Sequence, residues 1–180
     1  MRRMAGPPPP ALVHTVRALD TLSEWSGRLV AWLIVPMVVA LSYEVIVRYG
    51  FDAPTIWAYD TSYMLYGTHF MLGAGYTLLK KGHIRTDFFY EHWPVRRQAT
   101  LDGLLYLLFF FPGILFFFFA GYEQARHSWS IGETSEASAW RPIIYPFKTV
   151  MPVAAALLFL QGISEFLKSV WAAKTGRWEL

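Results

Sequence analysis

Residues 103–122 read GLLYLLFFFPGILFFFFAGY, a stretch without a single charged side chain. A bilayer core about 30 Å thick needs roughly 20 mostly apolar helical residues to cross it, and this stretch meets that length. Three others resemble it. Residues 29–47 carry one charge, Glu44, near one end; residues 58–79 carry none beyond Asp60; residues 149–167 carry Glu165 close to their end. In lipid the backbone polar groups of each can be satisfied only within a helix. The sequence therefore predicts an all-α integral membrane protein with four transmembrane helices. Pro36, Pro112 and Pro152 fall inside these spans, where proline is tolerated and predicts local kinks, not terminations.

Composition agrees. In 180 residues, 54% are hydrophobic and only 16% charged, against roughly a quarter charged in a typical soluble domain. A soluble domain of this length could not bury so much apolar surface in one core. The absence of cysteine excludes disulfide scaffolds, thiolate metal sites and cysteine nucleophiles. The net charge of +3 is a weak nucleic-acid signal, and its distribution speaks instead for a membrane. Arg2, Arg3, Arg17 and Arg28 precede the first span. Lys80, Lys81, Arg85, Arg96 and Arg97 lie between the second and third, and Lys168, Lys174 and Arg177 follow the fourth. The alternate loops hold only Arg48, Arg126, Arg141 and Lys148. The positive-inside rule then predicts both termini in the cytoplasm.

The ends divide the chain into a Pro-rich and amphipathic segment 1–28, a membrane domain 29–170 and a short cytoplasmic tail 171–180. Arg2-Arg3 leads into Pro7 to Pro10 where the apolar core of a cleavable signal would begin. Leu12, Val16, Leu19 and Leu22 recur at helical spacing, which predicts a short interfacial amphipathic helix over residues 11–25. Residues 84–93 predict a second such segment, ended by Pro94.

Few residues could carry chemistry. His69 is the one imidazole deep within a span. It is either hydrogen-bonded to a neighbouring helix or a haem ligand, and a haem would need a second axial residue at matching depth. Glu44 and Arg48 have the i, i+4 order of a helical ion pair, and Asp60 follows on the same outer side. Intramembrane acids are functional candidates by default, so this group is either a structural or subunit-interface cluster or takes part in ion movement. Glu165 has Lys168 at i+3 as a partner. Gly67 with Ala74, and Thr68 with Gly75, share helix faces and predict close packing. Trp57, Trp129 and Trp140 suit a protein interface and a membrane belt equally. No metal-ligand spacing, catalytic triad or phosphate loop is present, and no cofactor is expected. The phenylalanine runs 109–111 and 116–119 leave no polar face to line an aqueous route, the mark of an accessory subunit and not of a complete transporter.

Arg48-Tyr49-Gly50-Phe51, then Pro54, Trp57 and Asp60, followed by Gly73-Ala74 and by Lys81-Gly82-His83-Ile84-Arg85-Thr86-Asp87, resembles the small, DctQ-type membrane subunit of tripartite ATP-independent periplasmic (TRAP) transporters. Position 60 is Asp where that family more often has Glu. Pro142, Pro146, Lys148, Pro152 and Gln161 are similar to the branch labelled mannitol/chloroaromatic.

The resemblance implies a non-enzymatic scaffold in a bacterial inner membrane. Its partners would be the lipid bilayer, a large permease subunit that moves solute with sodium, and a periplasmic binding protein that delivers an organic acid. It further implies that His83, Arg85 and Asp87 fix the cytoplasmic turn. Glu44, Arg48, Trp57 and Asp60 would form an outer polar cluster, with Gly73 and Ala74 at a packing face. Trp129, Trp140 and Arg141 would contact the binding protein. Two readings compete with it: a haem-binding membrane anchor of a redox enzyme, and a self-contained small channel or exporter.

Overall fold

A computed structural model describes residues 7–82, 90 and 92–178. The described residues form helices throughout, with a single isolated bridge, Thr134 to Ile143, in place of any strand. In chain order the helices are α1 (Pro10–Ala31), α2 (Ile34–Gly50), α3 (Ala58–Leu79), α4 (Val95–Leu105), a π-helical turn (Tyr106–Phe110), α5 (Phe111–Ile131) and α6 (Tyr145–Thr175). Three stretches are long and apolar enough to cross a membrane: Pro10–Gly50, Val95–Ile131 and Tyr145–Thr175. α3 spans the predicted residues, but Asp60, Thr61, Ser62, Thr68, His69 and its four tyrosines make it less apolar than the others.

The helices run past the hydropathic spans. The predicted short amphipathic segment is instead a 22-residue helix that meets α2 after a two-residue turn at Trp32 and Leu33. Thus the first span, read as one helix over 29–47, is divided near its start. Pro36 explains where. It has no N–H to donate, and its ring would strike the carbonyl four residues back, that of Trp32. The chain tightens there to i→i−3 bonds, from Leu33 N–H to the Val30 carbonyl at 3.0 Å and from Val35 N–H to the Trp32 carbonyl at 3.2 Å. Pro112 acts likewise, with the π turn lying just upstream of it. α6 continues unbroken through Pro152. The segment after Pro94 is also helical, so α4 begins eight residues before the predicted third span.

α6 is the central helix, packed against α1, α3, α4 and α5. Its buried positions are almost all small or polar: Ala154, Ala155, Gly162, Ser164, Ser169 and Ala172 among them. Such residues let neighbouring backbones come close, which in lipid replaces the hydrophobic drive for association. Large rings fill the glycine gaps. A Cβ on Gly162 would overlap the Phe110 ring, one on Gly27 the Tyr76 ring, and one on Gly67 would lie 2.7 Å from a Phe147 ring carbon. Gly75 faces the α6 backbone at Leu157. The Gly67 and Gly75 faces read from sequence therefore pack within the chain, whereas Gly73 has open space beside it.

Gly162→Val should drive the π turn off α6, and overpacking of this kind costs about 1–3 kcal/mol. We expect Gly162→Val to unfold at distinctly lower SDS fraction than wild type in a mixed-micelle titration, while Gly113→Ala, which enters open space, leaves the midpoint unchanged.

Candidate functional site

Polar chemistry gathers at the two ends of the bundle. At the end carrying the 51–57 and 132–144 connections, α2 terminates with Asp52 in a left-handed conformation (φ 50°) and Ala53 N–H bonded back to the Val47 carbonyl. This turn brings residue 55 beneath α2. Glu44 then accepts from Arg48 on one carboxylate oxygen, with Nε at 2.8 Å. On the other it accepts from the Thr55 backbone N–H at 3.0 Å and from the Thr55 hydroxyl. The same hydroxyl oxygen accepts from Ala58 N–H at 3.3 Å, at the first residue of α3. Glu44 thus fixes the start of α3 relative to α2. Trp57 stacks on Tyr43 with ring centroids 5.8 Å apart.

Asp60 does not join this group. It is 1% exposed and turns to the 132–144 connection, where Ser135 Oγ donates to Oδ1 at 2.6 Å and Ser138 Oγ donates to Oδ2. The position suits a carboxylate, because the first turn of a helix presents unpaired N–H groups and the positive end of its dipole. Each serine oxygen in turn accepts a backbone N–H two residues on, from Ala137 and from Trp140, both at 3.2 Å. One carboxylate therefore sets the backbone of the whole connection. The loop is closed further by Ser135 N–H to the Pro142 carbonyl at 2.8 Å, by Ile144 N–H to the Glu133 carbonyl at 3.0 Å, and by Lys148 to Glu133 at 2.6 Å.

Of the three residues expected to face a periplasmic partner, Trp129 is turned inward at its polar edge. Its Nε1–H donates to Thr149 Oγ1 at 2.8 Å and its ring lies 4.3 Å from that of Tyr145. Trp140 and Arg141 stand exposed at the loop tip with Glu136, and Arg141 has a left-handed backbone (φ 47°).

At the opposite end, Lys168 lies between Asp20 (2.9 Å) and Glu165 (2.7 Å). Ser164 donates to Asp20 at 2.6 Å, and the fully buried Gln161 donates to Asp20 at 3.0 Å and to Glu165 at 3.2 Å. The Glu165–Lys168 pairing was legible from spacing; Asp20, from α1, was not. His69 meets the Val30 carbonyl at 3.1 Å through Nδ1. A carbonyl only accepts, so that nitrogen carries the proton. At the α1–α2 break this carbonyl accepts from Leu33 N–H as well. Of the two readings of His69, the structure provides the helix-to-helix hydrogen bond. His83, Arg85 and Asp87 lie outside the described residues, and among the described residues no three His, Asp or Glu side chains converge to hold a metal.

Apart from the pairing of Glu44 with Arg48 and of Glu165 with Lys168 and Gln161, each within one helix, the side-chain contacts described at the two ends join one helix or loop to another. The arrangement holds elements in place. Asp60→Ala should leave both serines without their acceptor at a cost of about 1–3 kcal/mol, and we expect the 132–144 loop to become at least tenfold more susceptible to limited proteolysis than in wild type. The Glu133 carboxyl is held below its ordinary value by its hydrogen bonds, foremost that from Lys148. That bond's contribution is complete above the unfolded carboxyl value near 4.5 and is lost as pH falls through the lower folded value. Proteolysis of the loop should therefore rise below about pH 4 in wild type, and Glu133→Gln should remove that part of the pH dependence.

A search of curated proteins finds no match. The family model described as "Tripartite ATP-independent periplasmic transporters, DctQ component" matches residues 37–171. This region runs from early α2 nearly to the end of α6, taking in both the Glu44 and Asp60 ties and the hub helix. The chain therefore belongs to the DctQ component family of tripartite ATP-independent periplasmic transporters.

Proposed function

We propose that this chain is the small membrane subunit of a TRAP-type secondary transporter, bracing a separate large permease subunit that takes up an organic acid with sodium. A periplasmic binding protein delivers the solute. The match to the DctQ component over residues 37–171 carries this reading. The structure supports the bracing role by what its polar groups do. Glu44, Asp60, Asp20 and Lys168 are all consumed in ties between elements, which leaves them engaged in holding the bundle and not in lining a route for solute.

In this reading the chain crosses the bacterial inner membrane four times, α3 being the fourth span. Its lower apolarity is tolerable because α1, α2 and α6 pack around it. The lysine and arginine bias puts both termini and the 80–97 segment in the cytoplasm, so the loop fixed by Asp60 faces the periplasm. That loop presents Trp140, Arg141 and Glu136 on a rigid frame, the chemistry suited to a transient protein contact. His83, Arg85 and Asp87 would then fix the cytoplasmic turn after α3.

Affinity capture of the tagged chain from native membranes in mild detergent tests the class, and a much larger multi-spanning partner should be recovered in near-equal amount. Liposomes containing this chain alone should show no sodium-driven carboxylate uptake. Uptake by such liposomes, or capture without a large partner, would refute the role.

A further inference from the structure

α2 is the least embedded of the helices. Its one buried residue is Ala40, and none of the tight glycine contacts joins it to α3. It is tied to α3 chiefly at one end, by Glu44 and Thr55. Beside that tie the two helices leave an open groove of about 470 Å³ between their outer faces. One wall is the α2 stripe Met37, Leu41, Glu44 and Arg48; the other is the start of α3, with Tyr59, Ser62, Tyr63 and Tyr66. From Met37 to Arg48 the groove runs for about 16 Å, or three helical turns.

The chemistry of this groove differs from the other open faces. Tyr59, Tyr63, Tyr66 and Phe70 repeat at intervals of four, three and four residues, so they form one stripe along α3, and each is half or more exposed. The Ser62 hydroxyl is buried in the groove wall without a hydrogen-bond partner. Among the described residues, Tyr63 and Tyr66 have rings in contact with Phe147 and Phe70, but no hydrogen bond is formed by their hydroxyls. At the mouth, both Glu44 oxygens are taken, while the half-exposed Arg48 guanidinium can only donate. Hydroxyls facing hydrocarbon cost free energy unless something accepts from them, and an acyl chain offers no acceptor. The exposed face of the π turn and α5, with Leu107, Leu108, Phe109, Phe116 and Phe119, has no such need and suits lipid tails.

We propose that the α2–α3 groove is the seat of a transmembrane helix of the large permease subunit, one that offers hydrogen-bond acceptors to Tyr63 and Tyr66 and to Arg48 at its end. This rests on the proposed role as a small permease subunit and says which face performs it. The third wall supplied by the partner shields the least apolar helix from lipid.

The test is photocrosslinking within the co-expressed, detergent-solubilised complex, with benzoylphenylalanine replacing either Tyr66 or Phe116. Position 66 should yield an adduct with the large subunit at least tenfold more abundant than position 116. In parallel, Tyr63→Phe combined with Tyr66→Phe removes two hydroxyls while keeping the rings. It should reduce the large subunit retained on washing by roughly threefold per hydroxyl, the usual worth of an intramembrane hydrogen bond, with helical content by circular dichroism unchanged. The proposal is overturned if position 116 crosslinks and position 66 does not, if position 66 yields only lipid adducts or a dimer of this chain, or if the double variant retains its partner fully. In those cases a co-purifying large subunit would still uphold the small-subunit role. Failure of the unmodified chain to retain any large subunit would refute both.

Discussion

Helices in hydrocarbon gain little by burying apolar surface against one another, because the lipid they leave is as apolar as the neighbour they meet. What remains is closeness of approach, and the bundle obtains it from α6. Alanine, serine and glycine on its buried positions let four other helices reach its backbone, and Phe110, Phe147 and Met151 occupy gaps against glycines of α6, α3 and α5. The phenylalanine-rich third span, which looks the most hydrophobic in the sequence, packs on α6 through Phe110 and Phe111, while Phe109, Phe116, Phe117 and Phe119 point outward. Hydrophobicity decides what enters the membrane, and side-chain smallness decides what packs there.

The polar residues add a second layer of order at the ends of the bundle. Two of the ties span long stretches of chain: Asp60 reaches Ser135 across 75 residues, and Lys168 reaches Asp20 across 148. Such contacts cost conformational entropy to close, and breaking one leaves its partner buried without compensation. They therefore specify one arrangement of the helices.

Three membrane-length stretches were legible because a run of apolar residues is a local property, and the helical register of Gly67 and Gly75 followed from spacing alone. The Glu44–Arg48 and Glu165–Lys168 pairs were legible for the same reason. Asp60 was assigned to the Glu44 group from proximity in sequence, and it belongs instead to a loop whose serines, three residues apart, give only the weak signal of short side chains that cap their own backbone. Asp20 lay on what read as a surface helix, with nothing local to indicate that Lys168 would meet it. The helices of the third and fourth spans run past the residues read as membrane-crossing. Hydropathy marks where lipid begins, whereas backbone hydrogen bonding carries α4, α5 and α6 well beyond it.

The bend between α1 and α2 has a mechanical meaning. Proline at position 36 makes the ladder give way, and such a break would ordinarily act as a pivot. Here the Val30 carbonyl, which already accepts from Leu33 N–H, accepts a second bond from His69 of another helix. The joint is therefore splinted: a push on the N-terminal arm is carried into α3 as torque instead of being absorbed as flexing, and the angle at which α2 leaves the bundle is set by a ring nitrogen nearly forty residues downstream.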